Sequence, residues 1–185
     1  MKDFTIKRDD SLLLMVDIQD RLFQAMENDS QNQLKKNGSI LVNTAAEFNI
    51  PLIITEQYRK GLGETIPELI SIAGESLNLE KIHFDCMKNE EIKNAIIKTE
   101  RKTIIVTGIE SHICVLQTAL TLLSTGFRVV IASDAVASRR KHDYKSALRI
   151  LSDAGALIYP TETIAFMLLE KAGTPEFKKL SPLFK

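Results

Sequence analysis

The stretch "VTGIESHICVLQTAL" (106–120) sets a histidine and a cysteine between the end of an apolar run and the start of a helical pattern. A thiol in the first turn of a helix lies beside unpaired N–H groups and the positive end of the helix dipole, which favour the thiolate. The same N–H groups could bind an oxyanion forming on a carbonyl that the sulfur attacks. Cys114 is therefore a candidate nucleophile, although a free cysteine is often only a small buried hydrophobe. Asp17 closes the apolar run "LLLMVD" (12–17). An aspartate there can cap the following helix. It can also serve as a general base, because a carboxylate just beyond a buried strand is partly desolvated and can take a thiol proton. Lys81 sits among apolar neighbours in "NLEKIHFD" (78–85). Most lysines are solvated, but one near the carboxyl end of a strand could face the same crevice and help to hold a thiolate. His112 stands two positions from Cys114, so on a helix the two side chains do not face each other and a Cys–His dyad is disfavoured. His83 and His142 stand alone, without metal-ligand spacing.

These groups need a frame to bring them together. "SLLLMVD" (11–17), "PLIIT" (51–55), "TIIVTG" (103–108), "RVVIASD" (128–134) and "ALIYP" (156–160) read as buried strands without polar alternation, as parallel strands covered on both faces do. "LEKIHF" (79–84) alternates and is a weaker sixth. Segments 30–49, 89–100, 112–126 and 142–155 have helical spacing, with Asn89 suited to a helix start and Gly126 and Gly155 to helix ends. The repeating βα order predicts right-handed crossovers and one α/β domain over residues 1–185, with a doubly wound, mainly parallel sheet and helices on both faces. If the strand order is 3-2-1-4-5-6, the ligand crevice lies beyond the carboxyl ends of the first and fourth strands. Asp17 and the "GIESHIC" segment converge there.

The bulk numbers narrow the function. The 185 residues carry 24 basic and 24 acidic side chains, a net charge of zero that is a poor electrostatic footprint for nucleic acid. The basic segment "SRRKHDYK" (138–145) reads as a solvated helix start. Two distant cysteines, with no apolar leader and no run near the roughly 18 apolar residues of a membrane span, predict free thiols and a cytoplasmic protein. No phosphate loop, HExxH, CxxC or EF-hand pattern occurs, so no bound metal and no cofactor are expected. The "GLG" at 61–63 reads as a loop over the crevice.

Three segments, in order and along nearly the whole chain, resemble the isochorismatase-like cysteine hydrolases: "LLLMVDIQDRL", "EKIHFDCM" and "VTGIESHICVLQTAL". "VVIASDAVASR", "SALRILSDAGA" and "TETIAF" extend the likeness. The resemblance implies a Rossmann-like order and a triad of Asp17, Lys81 and Cys114, with Asp17 as proton acceptor and Cys114 forming a thioester-like intermediate. It also implies a cis peptide at Ile109–Glu110, an oxyanion hole from the backbone N–H groups of Glu110 and Cys114, and a homo-oligomer. Gln19, Glu56, Gln57, Tyr58 and His112 are the matching candidates for the substrate pocket, with Glu56 to Tyr58 expected beyond the second strand. The chain departs from nicotinamidase-like members, which carry an Asp-x-His metal pair where it has "TEQYRKGLG". It also departs from isochorismatases, which lack the cysteine. The metal-free branch of isochorismatase domain-containing proteins is the better match. The expected activity is hydrolysis of a small molecule at an amide-type C–N bond. A silent scaffold on the same fold and a ribonuclease are the alternatives.

Overall fold

The run after Asp10 forms β1 (Ser11–Val16), with all of its residues buried. β2 (Leu52–Gln57), β3 (Leu77–Lys81), β4 (Thr103–Ile109), β5 (Arg128–Ala137) and β6 (Leu157–Tyr159) complete one six-stranded sheet in a computed structural model that describes residues 4–185. All pairings are parallel and the order is β3-β2-β1-β4-β5-β6, the doubly wound arrangement expected. The helices are α1 (Asp20–Gln24), α2 (Asn28–Glu47), α3 (Arg59–Leu62), α4 (Pro67–Ile70), α5 (Glu90–Lys98), α6 (Leu116–Ser124), α7 (Lys141–Asp153), α8 (Thr161–Leu169) and α9 (Pro175–Leu180).

Why both faces of the strands are apolar follows from their two-residue period. On β1, Leu13 and Met15 join Leu41 and Ala45 of α2 and Ile164 and Leu168 of α8 in one core. Leu12, Leu14 and Val16 point the other way, to Ile92 and Ile96 of α5 and Ala119 and Leu122 of α6. Cys86 and Cys114 belong to this second core. Asn89 caps α5, its side chain accepting from the Ile92 N–H at 3.0 Å.

Some boundaries differ from expectation. β2 runs on to Gln57, pairing Glu56 with Glu80 and Gln57 with Lys81, so Glu56 and Gln57 lie inside the strand and not beyond it. The polar side chains are tolerated there because each finds partners. The segment from 112 does not start as an α-helix: Ser111–Val115 form a π turn, with the Val115 N–H reaching the Glu110 carbonyl, and only then does α6 begin. β5 continues to Ala137 through an irregularity, since Val106 pairs with Ile131 but Gly108 with Val136. The Thr107 hydroxyl closes that irregularity by donating to the Ala135 carbonyl at 2.5 Å.

Candidate active site

Asp17 follows β1 with φ 53°, a left-handed conformation that aspartate tolerates better than most residues. Its N–H reaches the Thr55 carbonyl of β2 at 3.0 Å, and its own carbonyl accepts from the Gln19 N–H at 2.8 Å. The side chain is wholly buried. Oδ1 accepts from the Thr55 hydroxyl at 2.8 Å and Oδ2 from Lys81 Nζ at 2.6 Å.

Lys81 closes β3, which is separated from β1 by β2. Strands lie about 4.8 Å apart, so the two side chains together must bridge about 10 Å across β2. The extended lysine stem covers most of that distance, and Gln57 of the intervening strand takes Nζ on its Oε1 at 2.7 Å. Gln57 is oriented by its own Nε2, which donates to the Ile82 carbonyl at 2.6 Å. Lys81 is only 1% exposed. Burial works against its charge, but the Asp17 carboxylate outweighs that and holds its pKa above 10.5. The ammonium is charged.

Cys114 lies in the π turn and is 5% exposed. Here the resting thiolate suggested by the helix-start position does not hold. Burial, then the Asp17 charge, push the thiol well above its ordinary range, with Lys81 pulling the other way and a hydrogen bond to the Asp17 side chain adding to the rise. The N-terminal dipole is set against a sealed, negatively charged surrounding, and desolvation wins. The sulfur therefore rests as a thiol beside a carboxylate.

The approach of β4 to β1 depends on Gly108. With φ 137°, its backbone lies so close to β1 that a Cβ would sit 2.0 Å from the Val16 carbonyl oxygen. A glycine inside the apolar run "TIIVTGI" is a legible sign of such close approach. The next peptide bond, Ile109–Glu110, is cis. The Glu110 side chain turns away to accept from the Arg139 N–H at 3.1 Å and Arg139 Nε at 2.9 Å, leaving its backbone beside the π turn.

The remaining candidates divide. Gln19 ties the site to its covering loop: Nε2 donates to the Gln57 and Gly63 carbonyls at 3.0 and 2.6 Å, and Oε1 accepts from the Gln57 N–H at 2.7 Å. Glu56 is buried and turned to the same loop, accepting from the Thr65 N–H at 2.6 Å, the Thr65 hydroxyl at 2.7 Å and Asn78 at 3.1 Å. Tyr58 is 49% exposed and lies over Gly61, where a Cβ would come within 2.3 Å of its ring. His112 faces β5, its Nδ1 2.9 Å from the Ser138 hydroxyl. A cavity of about 300 Å³ borders that side, lined in part by Asp134, Ser138 and Tyr144. Thr55 and Cys86, the first within an apolar strand run and the second in "EKIHFDCM" but without an assigned role, are the residues that sequence reasoning missed. Among the described residues, no group of three or more His, Cys, Asp or Glu is placed to hold a metal ion, and no helix is long and apolar enough to cross a membrane.

Comparison with known proteins agrees with the fold. A family model for the isochorismatase domain matches residues 11–163. Isochorismatase family protein 1A of Dictyostelium discoideum is 37% identical over 180 residues, covering 94% of this chain and 85% of its own. Among solved structures, the MAR1 ribonuclease of Caenorhabditis elegans superposes with a TM-score of 0.89 at 31% identity, over 97% of this chain and 91% of its own. The Escherichia coli YcaC gene product, described as an octameric hydrolase of unknown specificity, shares the fold with a TM-score of 0.93 at 24% identity, covering 99% and 92%.

Proposed function

The chain belongs to the isochorismatase family and carries its hydrolase fold, and we propose that it is a cysteine-dependent hydrolase of a small molecule, acting at an amide-type C–N bond. One observation carries the reading: Asp17 and Lys81 form a sealed ion pair, and the buried Cys114 thiol lies close enough for the Asp17 charge to raise its pKa. A buried ion pair is costly to assemble, and removing either partner would strand a charge. A nucleophile placed against it has both a proton acceptor and a cation at hand.

In this mechanism the Cys114 S–H proton moves to the Asp17 carboxylate as the sulfur attacks the carbonyl carbon, breaking the C=O π bond and placing the negative charge on oxygen. The backbone N–H groups of Glu110 and Cys114 receive that oxyanion. Collapse expels the amine, which takes the proton from Asp17, and leaves a thioester on Cys114. Water then attacks the thioester carbon as Asp17 accepts its proton, and collapse breaks the C–S bond, releasing the acid while Asp17 returns the proton to the sulfur. Lys81 stays charged throughout and keeps Asp17 oriented. Tyr58, Gln19, Gln57 and His112 are the side chains we assign to the substrate pocket. Glu56 holds the covering loop. The chemistry draws on no cofactor. A homo-oligomer belongs to the same proposal, on family grounds, and sedimentation velocity checks it.

The test is acylation by p-nitrophenyl acetate at neutral pH, mapped by mass spectrometry. An acetyl group on Cys114, absent in Cys114→Ala and slowed in Asp17→Asn, is expected. Acylation that spares Cys114 in the folded protein would sink the reading in favour of a scaffold.

A second reading, ribonuclease, is favoured by the likeness to the Caenorhabditis elegans protein. The zero net charge weighs against it. RNA that stays intact and unbound at low salt removes it, since phosphate binding should be strongest there.

A further inference from the structure

We propose that Thr55 is a positioning residue for the base Asp17, and that the buried Cys86 thiol backs the Thr55 hydroxyl by donating to its oxygen. This rests on the reading of Asp17 as the proton acceptor for Cys114.

A threonine hydroxyl has one proton and can rotate it to suit several partners. At Thr55 that freedom is removed. Its Oγ1 lies 2.8 Å from Asp17 Oδ1 and 3.8 Å from the Cys86 sulfur. The carboxylate can only accept, so it takes the hydroxyl proton. The S–H of Cys86 in turn donates to the threonine oxygen, a weak bond but one aimed at the lone pair that would otherwise be free. The order is Cys86 S–H to Thr55 oxygen, Thr55 O–H to Asp17 Oδ1.

Every member of this chain is sealed. Thr55, Asp17 and Cys86 have no measurable exposure, so no solvent can substitute for a missing donor. Cys86 is itself held, its N–H donating to the Thr118 hydroxyl at 3.0 Å. Burial and the Asp17 charge keep its thiol protonated, with its pKa pushed up to about 11. It can therefore act as a donor across the whole working range. The second cysteine of the chain is in this way an orienting group behind the base and not a second nucleophile.

With Lys81 on Oδ2 and Thr55 on Oδ1, both oxygens of Asp17 carry a fixed donor. The carboxylate plane cannot turn, and its remaining lone pairs keep one bearing towards Cys114. Donors to the charged form also favour that form.

The experiment is the pH profile of Cys114 alkylation by iodoacetamide, read at each thiol by mass spectrometry on the full chain. Proton acceptance by Asp17 should give a plateau whose acid limb reports the carboxylate. Thr55→Val keeps the shape and deletes the donor, and should move that limb up by about one pH unit, the size expected for losing one hydrogen bond to a charged group. Thr55→Ser restores the hydroxyl and should restore the wild-type limb. Cys86→Ala should move it the same way by less. Circular dichroism monitors folding, and if Thr55→Val does not fold, the Cys86→Ala shift decides. A Thr55→Val profile lying on that of the wild type overturns the proposal, as does a Thr55→Ser profile shifted as far as Thr55→Val. A Cys86→Ala profile identical to wild type overturns the part given to the thiol. If Asp17→Asn keeps the plateau, the base assignment itself fails, which is a different result from any of these.

Discussion

Lys81 and Asp17 meet at 2.6 Å with neither side chain exposed, although they come from strands separated by β2. Their pairing makes the centre of the site a matter of folding as well as chemistry. In Lys81→Met the stem would still span β2, but Asp17 and the Gln57 Oε1 would be left without their cation. A loss of about 3–5 kcal/mol in urea unfolding is expected. The double variant Asp17→Asn/Lys81→Met should be more stable than the sum of the two single losses allows, because the stranded charge is gone. Additive losses would show that the pair is not coupled.

The thiol profile separates the two charges that act on Cys114. Asp17 raises its pKa and Lys81 lowers it. Asp17→Asn, which tolerates the left-handed backbone, should therefore bring the alkaline inflection of Cys114 alkylation to lower pH while abolishing the plateau on the acid side. Lys81→Ala should push the alkaline inflection higher. Opposite movements, or none, would mean that Cys114 does not sense the pair.

Stability should fall on the alkaline side. The folded values of Lys81, Cys86 and Cys114 are all raised above their ordinary ones. Each contributes stability that is complete below its unfolded pKa and is lost as pH rises through the folded one. For the thiols the decline starts near pH 9.0, and for Cys86 it runs to about 11. The urea midpoint should hold from pH 8 to about pH 9 and then drop steadily to pH 10.5, and Cys86→Ala should flatten part of that slope. A midpoint constant over this range would contradict the assignment.

Glu56 governs the covering loop. Burial opposes its charge, but donors from Thr65, Asn78 and Arg59 outweigh that and hold its pKa below 4.5. Its contribution is present above pH 4.5 and is lost as pH falls through the lower folded value. Glu56→Gln removes the charge and one of the two acceptor oxygens at every pH and should speed tryptic cleavage at Arg59 and Lys60 several-fold with the sheet intact. Unchanged cleavage would show that the loop is held by other contacts.

Gly108→Ala tests the approach of β4 to β1. The added Cβ would meet the Val16 carbonyl at 2.0 Å, and backbone cannot move aside as a flexible side chain could. A loss of roughly 3 kcal/mol or more is expected, visible as a fall in Tm. A Tm within a degree or two of wild type would mean that the strands separate freely there.

The sequence by itself determined the sheet and singled out the candidate groups. Uninterrupted apolar runs can only be strands covered on both faces, and their alternation with helical spacing leaves little choice but a doubly wound sheet. Asp17 stood out as a polar group closing an apolar run and Cys114 as a thiol at an expected helix start, while the family resemblance joined Lys81 to them. The state of those groups was decided only by the tertiary structure. A helix start suggested a thiolate at Cys114, yet burial and a neighbouring carboxylate make it a thiol, and local spacing carries no information about either. Thr55 and Cys86 were illegible for the same reason. Each looks like ordinary strand-end or core material until the fold sets β2 between β1 and β3 and brings the residues after β3 up behind Asp17. Glu56 illustrates the converse, a polar residue near the right strand end whose carboxylate the fold turns onto the covering loop. Periodicity is written along the chain, whereas hydrogen-bond partners across strands are set by register and by the length of a side chain such as Lys81.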